Sequence, residues 1–120
     1  MKVTIYEYPK CGTCRKAKKW LEEQGHEVEA IDLVKNTPSK ETVQSIVASS
    51  EFPLKRFFNT SGNKYKELNL KEKLPTMTEE EQYDLLVSDG MLMKRPLVTD
   101  GKKVTLGFKE SDFEENWKNA

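Results

Sequence analysis

Two cysteines stand three positions apart, in Cys11-Gly12-Thr13-Cys14, where an alternating run gives way to a helical pattern. A cysteine reacts as its thiolate, and its pKa of about 8.5 falls at a helix N-terminus or beside a cation. Cys11 lies at or just before the first turn of the predicted helix. Unpaired N–H groups and the macrodipole favour negative charge there. Lys10, Arg15, Lys16, Lys18 and Lys19 crowd the same region with positive charge, although a lysine cluster alone is most often a solvated helix face. Gly12 and Thr13 are small, so the backbone can wrap closely around a sulfur or a bound anion. Cys11 is therefore the candidate nucleophile. Cys14, one turn deeper, suits the resolving role: it attacks a mixed disulfide at Cys11 and closes a Cys11–Cys14 disulfide.

Two other readings compete. A cysteine pair is half of a zinc site, but Zn²⁺ usually takes four ligands, and neither a second pair nor a histidine pair is present. The only histidine, His26, lies past the predicted helix end and is expected at the surface. A Cys-x-x-Cys also occurs by chance, without redox chemistry. The strand-to-helix setting favours the redox motif.

The elements that must position the pair follow from the pattern. Residues 2–8 alternate and are rich in β-branched and aromatic types, which predicts a strand. Cys14, Ala17 and Leu21 give the helical spacing of residues 12–24, with Gly25 at the C-terminal cap. Residues 28–33 read as a second strand, so the first third is a parallel βαβ unit. Thr37-Pro38 is read as a helix start, with Thr37 the N-cap and Val43, Ile46 and Val47 the apolar face. Short helical pieces continue to Pro75, and Thr78-x-x-Glu81 is a capping box before Tyr83, Leu85, Leu86 and Val87. No strand signal appears between 37 and 90. Leu97-Val98-Thr99, the turn dipeptide Asp100-Gly101, and residues 103–106 predict a hairpin. Residues 110–118 predict a final helix with Phe113 and Trp117 four apart. The expectation is one α/β domain over 1–120: a thioredoxin-like core (1–36 and 91–120) with a mixed sheet and a helical insertion (37–90), in the order βαβ, insertion, ββα.

In such a fold a proline just before a strand is commonly cis and faces the cysteine pair. Pro96 in Lys94-Arg95-Pro96-Leu97-Val98 takes that place. Arg95 is then expected near Cys11, able to stabilise a thiolate or hold an oxyanion through paired hydrogen bonds.

Composition narrows the partners. The chain has 120 residues, 20 basic and 20 acidic, which argues against a general nucleic-acid or membrane binder. Its mean hydropathy is −0.76, and no apolar run approaches the ~20 residues that span a bilayer. The first residues lack a charged-then-apolar signal pattern. A cytoplasmic location is the expectation, where thiols are kept reduced and a cysteine pair is more often catalytic, sensing or metal-binding than a staple.

Four motifs together resemble the ArsC/Spx family. They are Tyr-x-Tyr-Pro-x-Cys-x-x-Cys-x-x-Ala at 6–17, Thr-Ser-Gly-x-x-Tyr-x-x-Leu at 60–68, Arg-Pro-Leu-Val at 95–98 and Leu-Gly-Phe-Lys-Glu at 106–110. The family contains glutaredoxin-coupled arsenate reductases and Spx-type regulators of Gram-positive bacteria. The resemblance is nearest its arsenate-reductase-like branch. It implies that Cys11 is the family's nucleophile and Arg95 the arginine before the cis-proline. Asn59 and Phe108 stand where the arsenate reductases are expected to place two further arginines. Losing those cations removes two charge-assisted contacts of roughly 1.5–3 kcal/mol each, which argues against arsenate. The reductases generally lack a match to Cys14, whereas the regulators carry the pair.

The implied function is a thiol–disulfide oxidoreductase with no bound cofactor, its dithiol restored by glutathione or by a thioredoxin- or glutaredoxin-type partner. The alternative is a redox-sensing regulator that binds the α subunit of RNA polymerase without direct nucleic-acid contact. A third is a small-anion or glutathione binder without turnover.

Overall fold

The computed structural model describes residues 2–118. Lys2–Glu7 forms β1 and Glu27–Asp32 forms β2, joined through helix α1, Gly12–Glu23. The chain then builds the helices α2 (Lys40–Ser49), α3 (Asn63–Glu67), α4 (Leu70–Lys73) and α5 (Glu79–Ser88). It returns as β3 (Leu97–Thr99), β4 (Val104–Leu106) and α6 (Glu110–Trp117). The sheet order is β2-β1-β3-β4. β1 runs parallel to β2 and antiparallel to β3, and β4 is antiparallel to β3. This is a mixed sheet in the thioredoxin-like α/β arrangement.

The sheet separates two apolar layers because successive strand side chains point to opposite faces. Val3 and Ile5 of β1 and Val98 of β3 pack with Ala17, Leu21, Phe113 and Trp117, from α1 and α6. Tyr6 and Leu97 face the other way and join Val43, Ile46, Leu70, Tyr83 and Leu86 of the insertion. The insertion therefore packs on one face of the sheet.

Backbone contacts fix the insertion to the core. Phe58 and Met93 form a β-bridge. Asn59 N–H donates to Leu92 O at 2.8 Å, and Lys94 N–H to Phe57 O at 2.7 Å. Gly90 lies against the end of β2: a Cβ there would stand 2.0 Å from Leu33 O. Lys40 on α2 reaches Glu80 and Asp84 on α5 at 3.1 and 2.9 Å.

Several local expectations hold. The Thr78–Glu81 capping box is formed in both directions. Gly25 takes φ 84° after α1, in the region that favours glycine. The predicted hairpin forms between β3 and β4, with Asp100-Gly101 in a four-residue connection where Asp100 Oδ1 accepts from the Lys102 and Lys103 N–H groups. Others need correction. The N-cap of α2 is Ser39, whose side chain accepts from Thr42 N–H. Thr37 instead donates its hydroxyl to Leu33 O at 2.6 Å, closing the turn after β2. His26 is buried, not at the surface. Its Nε2 meets the carbonyl at Trp117, because the α1–β2 turn packs beneath the end of α6. Among the described residues no helix is long and apolar enough to cross a membrane.

Candidate active site

Cys11 is the N-cap of α1, with extended backbone at φ −87° and ψ 114°. An N-cap side chain accepts a hydrogen bond from a first-turn amide, and here a sulfur fills that role. Cys14 N–H donates to Cys11 Sγ at 3.4 Å. The backbone is held from behind by Cys11 N–H donating to Tyr8 O at 2.8 Å. Cys11 is half-buried and Cys14 has no exposed surface. Both are free thiols.

The two thiols are driven apart. Burial pushes Cys11 up, but the hydrogen bond with the Cys14 thiol, the Cys14 and Thr13 amides and the Arg95 charge outweigh it and bring it below the ordinary thiol range. Cys14 is pushed up to about 12. Its burial is the main cause, partly relieved by a backbone hydrogen bond at Tyr8 and the Arg95 charge. Its hydrogen bond to Cys11 and the Cys11 charge act with the burial.

Arg95 is aimed by three contacts. Its peptide bond to Pro96 is cis. Nη1 donates to Met91 O and Met93 O at 3.4 and 3.3 Å, and Cζ lies 5.3 Å from the centre of the Tyr8 ring. The guanidinium has hydrogen-bond donors left over from these bonds. Arg95→Gln is expected to move the inflection of Cys11 alkylation rate against pH upward, towards the ordinary thiol range. A pH profile followed by mass spectrometry checks this, and an unmoved inflection would show that Arg95 does not act on the sulfur.

The remaining sequence candidates divide. Thr13 supplies an amide to Cys11. Gly12 is exposed, and a Cβ at that position would meet nothing within 4 Å, so packing does not demand its smallness. Lys10 and Arg15 are exposed, and Arg95 is the cation that stands among the main influences on Cys11. Pro96 is buried beside Arg95. Asn59 folds its amide onto Gly62, and Phe108 packs edge-on against Phe113 at 4.8 Å. Neither brings a charge to the sulfur. Among the described residues no group of three or more His, Cys, Asp or Glu side chains is placed to hold a metal ion. The part of Tyr8 as a platform for Arg95 and the carbonyls of Met91 and Met93 were missed at the sequence level. The tyrosine next to Pro9 was the available signal.

The family model for the ArsC family matches residues 6–116. The chain belongs to the ArsC family. An uncharacterised Bacillus subtilis protein, YusI, is 64% identical over 98% of this chain and 99% of its own. The regulatory protein MgsR of the same organism is 31% identical over 92% of this chain and 86% of its own. A crystal structure of an ArsC family related protein from Bacteroides fragilis superposes with a TM-score of 0.90 at 49% identity, covering 96% of this chain and 97% of that one. Other neighbours are named as a possible arsenate reductase and as Spx global transcriptional regulators.

Proposed function

We propose that this ArsC family chain is a cytoplasmic thiol–disulfide oxidoreductase working through Cys11 and Cys14. The observation that carries the reading is the asymmetry of the pair: an accessible, acidified Cys11 above a buried, protonated Cys14. The Cys11 thiolate attacks one sulfur of a substrate disulfide; a Cys11–substrate disulfide forms and the other half leaves as a thiolate. That adduct neutralises Cys11. It removes the Cys11 charge and hydrogen bond that help hold the Cys14 proton. Cys14 then loses its proton to solvent and attacks Cys11 Sγ, releasing the second thiolate and leaving a Cys11–Cys14 disulfide. Thioredoxin, glutaredoxin or glutathione supplies the two electrons that restore the dithiol.

Arsenate fits this site less well. Among the described residues Arg95 is the cation that stands among the main influences on Cys11, and Asn59 and Phe108 carry no charge. The test is reduction of a small disulfide, regenerated by thioredoxin and its reductase and followed as NADPH consumption. Turnover that falls to blank in Cys11→Ser supports the proposal; turnover unchanged by that substitution sinks it.

The likeness to MgsR supports a second reading, a redox-sensing regulator that binds the α subunit of RNA polymerase. Capture of purified α subunit by one redox state only, without disulfide turnover, selects the regulator.

A further inference from the structure

A second site lies on the insertion side of the Lys94-Arg95 segment. A cavity of about 240 Å³ is lined by Lys55, Arg56, Lys94, Thr60, Tyr65 and Phe58. It carries three cations and no carboxylate, in a chain whose acidic and basic residues balance at 20 each. A neighbouring cavity of about 370 Å³ shares Lys55 and Tyr65 and adds Lys71, Leu74 and Pro75, again without an acid. The segregation is particular to this place. The groove beside β4, about 430 Å³, sets Arg56, Lys102 and Lys103 against Glu51, Asp112 and Glu115.

Among the described residues Lys55 and Lys94 lack internal counter-charges, whereas Arg56 also borders the acid-bearing groove beside β4. Lys40 and Lys64 pair with carboxylates. Among the described residues Lys55, Lys71 and Lys94 pair with none. Arg56 rests on the Phe52 ring, 5.3 Å from its centre. The backbone beneath is fixed by the Phe58–Met93 bridge and by the Lys94 N–H to Phe57 O bond. The charges therefore converge from separate, tied segments rather than from one free loop. Like charges gathered without partners repel one another, and a bound multivalent anion relieves that repulsion. Tyr65, Leu74 and Pro75 give the neighbouring cavity an apolar shelf.

We propose that this pocket binds a small multivalent oxyanion, phosphoryl or polycarboxylate, carried on a partly apolar body, at Lys55, Arg56 and Lys94. The site is separate from the thiol chemistry and does not depend on it. The ammonium groups and the guanidinium hold the oxyanion as point charges and a planar fork, the Thr60 hydroxyl adds a donor, and the shelf takes the body.

The test is an amide-resolved NMR titration of the full chain at low salt with pyrophosphate, citrate and ADP as separate probes. Saturable shifts at residues 55–60, 65 and 94 are expected with at least one probe. Affinity is expected to fall tenfold or more in the double variant Lys55→Gln/Lys94→Gln, whose spectrum shows whether it remains folded. ADP binding tenfold tighter than pyrophosphate identifies a phosphoryl group on a larger body. Equal binding identifies the free anion, and preference for citrate a polycarboxylate. No saturable shift with any probe, shifts confined to residues 11–14, or unchanged affinity in the folded double variant overturns the proposal.

Discussion

Iodoacetamide at pH 7 is expected to modify Cys11 close to a hundredfold faster than Cys14, or more. A thiol at the ordinary pKa of about 8.5 is roughly 3% thiolate at pH 7, and the surroundings of Cys11 shift it downward from the ordinary thiol value. Cys14, at about 12, is thiolate in about one molecule in 10⁵. The resulting ratio is roughly 3 × 10³. The more basic thiolate is intrinsically more nucleophilic, and a Brønsted slope of 0.4–0.5 returns about 40-fold of it. What remains is about 80-fold, and the complete burial of the Cys14 side chain widens it. Peptide mass spectrometry of timed quenches reads both rates. Equal rates would remove the basis for assigning nucleophile and resolver. The same assignment predicts that Cys14→Ser accumulates a stable mixed disulfide at Cys11, while Cys11→Ser forms none.

The second large effect lies away from the sulfurs. Gly90→Ala is expected to destabilise the fold by about 3 kcal/mol, the upper end of ordinary overpacking. The new Cβ would stand 2.0 Å from Leu33 O and 2.6 Å from Leu33 C. Both are backbone atoms at the end of β2, where no rotamer change gives relief. For a domain of this size the loss corresponds to a fall of about 10 °C in Tm, measurable by calorimetry. The displacement also reaches the site. Met91 and Met93, one and three residues along, hold the Arg95 guanidinium through their carbonyls. Gly90→Ala should therefore also raise the inflection of Cys11 alkylation. A Tm within about 1 °C of the parent chain would mean that the contact at Leu33 relaxes without cost.

The sequence carried the local features well because each rests on near neighbours. Val3 and Ile5 alternate with Thr4 and Tyr6, Cys14, Ala17 and Leu21 repeat at helical spacing, and Thr78 with Glu81 marks a helix start. The proline before β3 in a thioredoxin-like fold pointed to Arg95 near the cysteines, and the Arg95 charge is among the influences that lower the Cys11 thiol. What stayed hidden depends on distant packing. His26 reads as a surface residue until α6 closes over it. The lysines flanking the cysteines look like the source of positive charge, yet their flexible stems keep them in solvent. The effective cation comes from a segment far along the chain. Thr37-Pro38 carries a start signal, but the turn after β2 had already claimed the threonine hydroxyl.

The open space above Gly12 bears on how chains of this kind diverge. A Cβ placed there, at the first turn of α1, meets no part of the protein beyond its chain neighbours within 4 Å. Selection can therefore rewrite the residue between the cysteines at little cost to folding, leaving the sheet, the insertion and Arg95 as they are. Lineages that need a different oxidant, or a different docking partner at the thiol, have one position at which to look for it first.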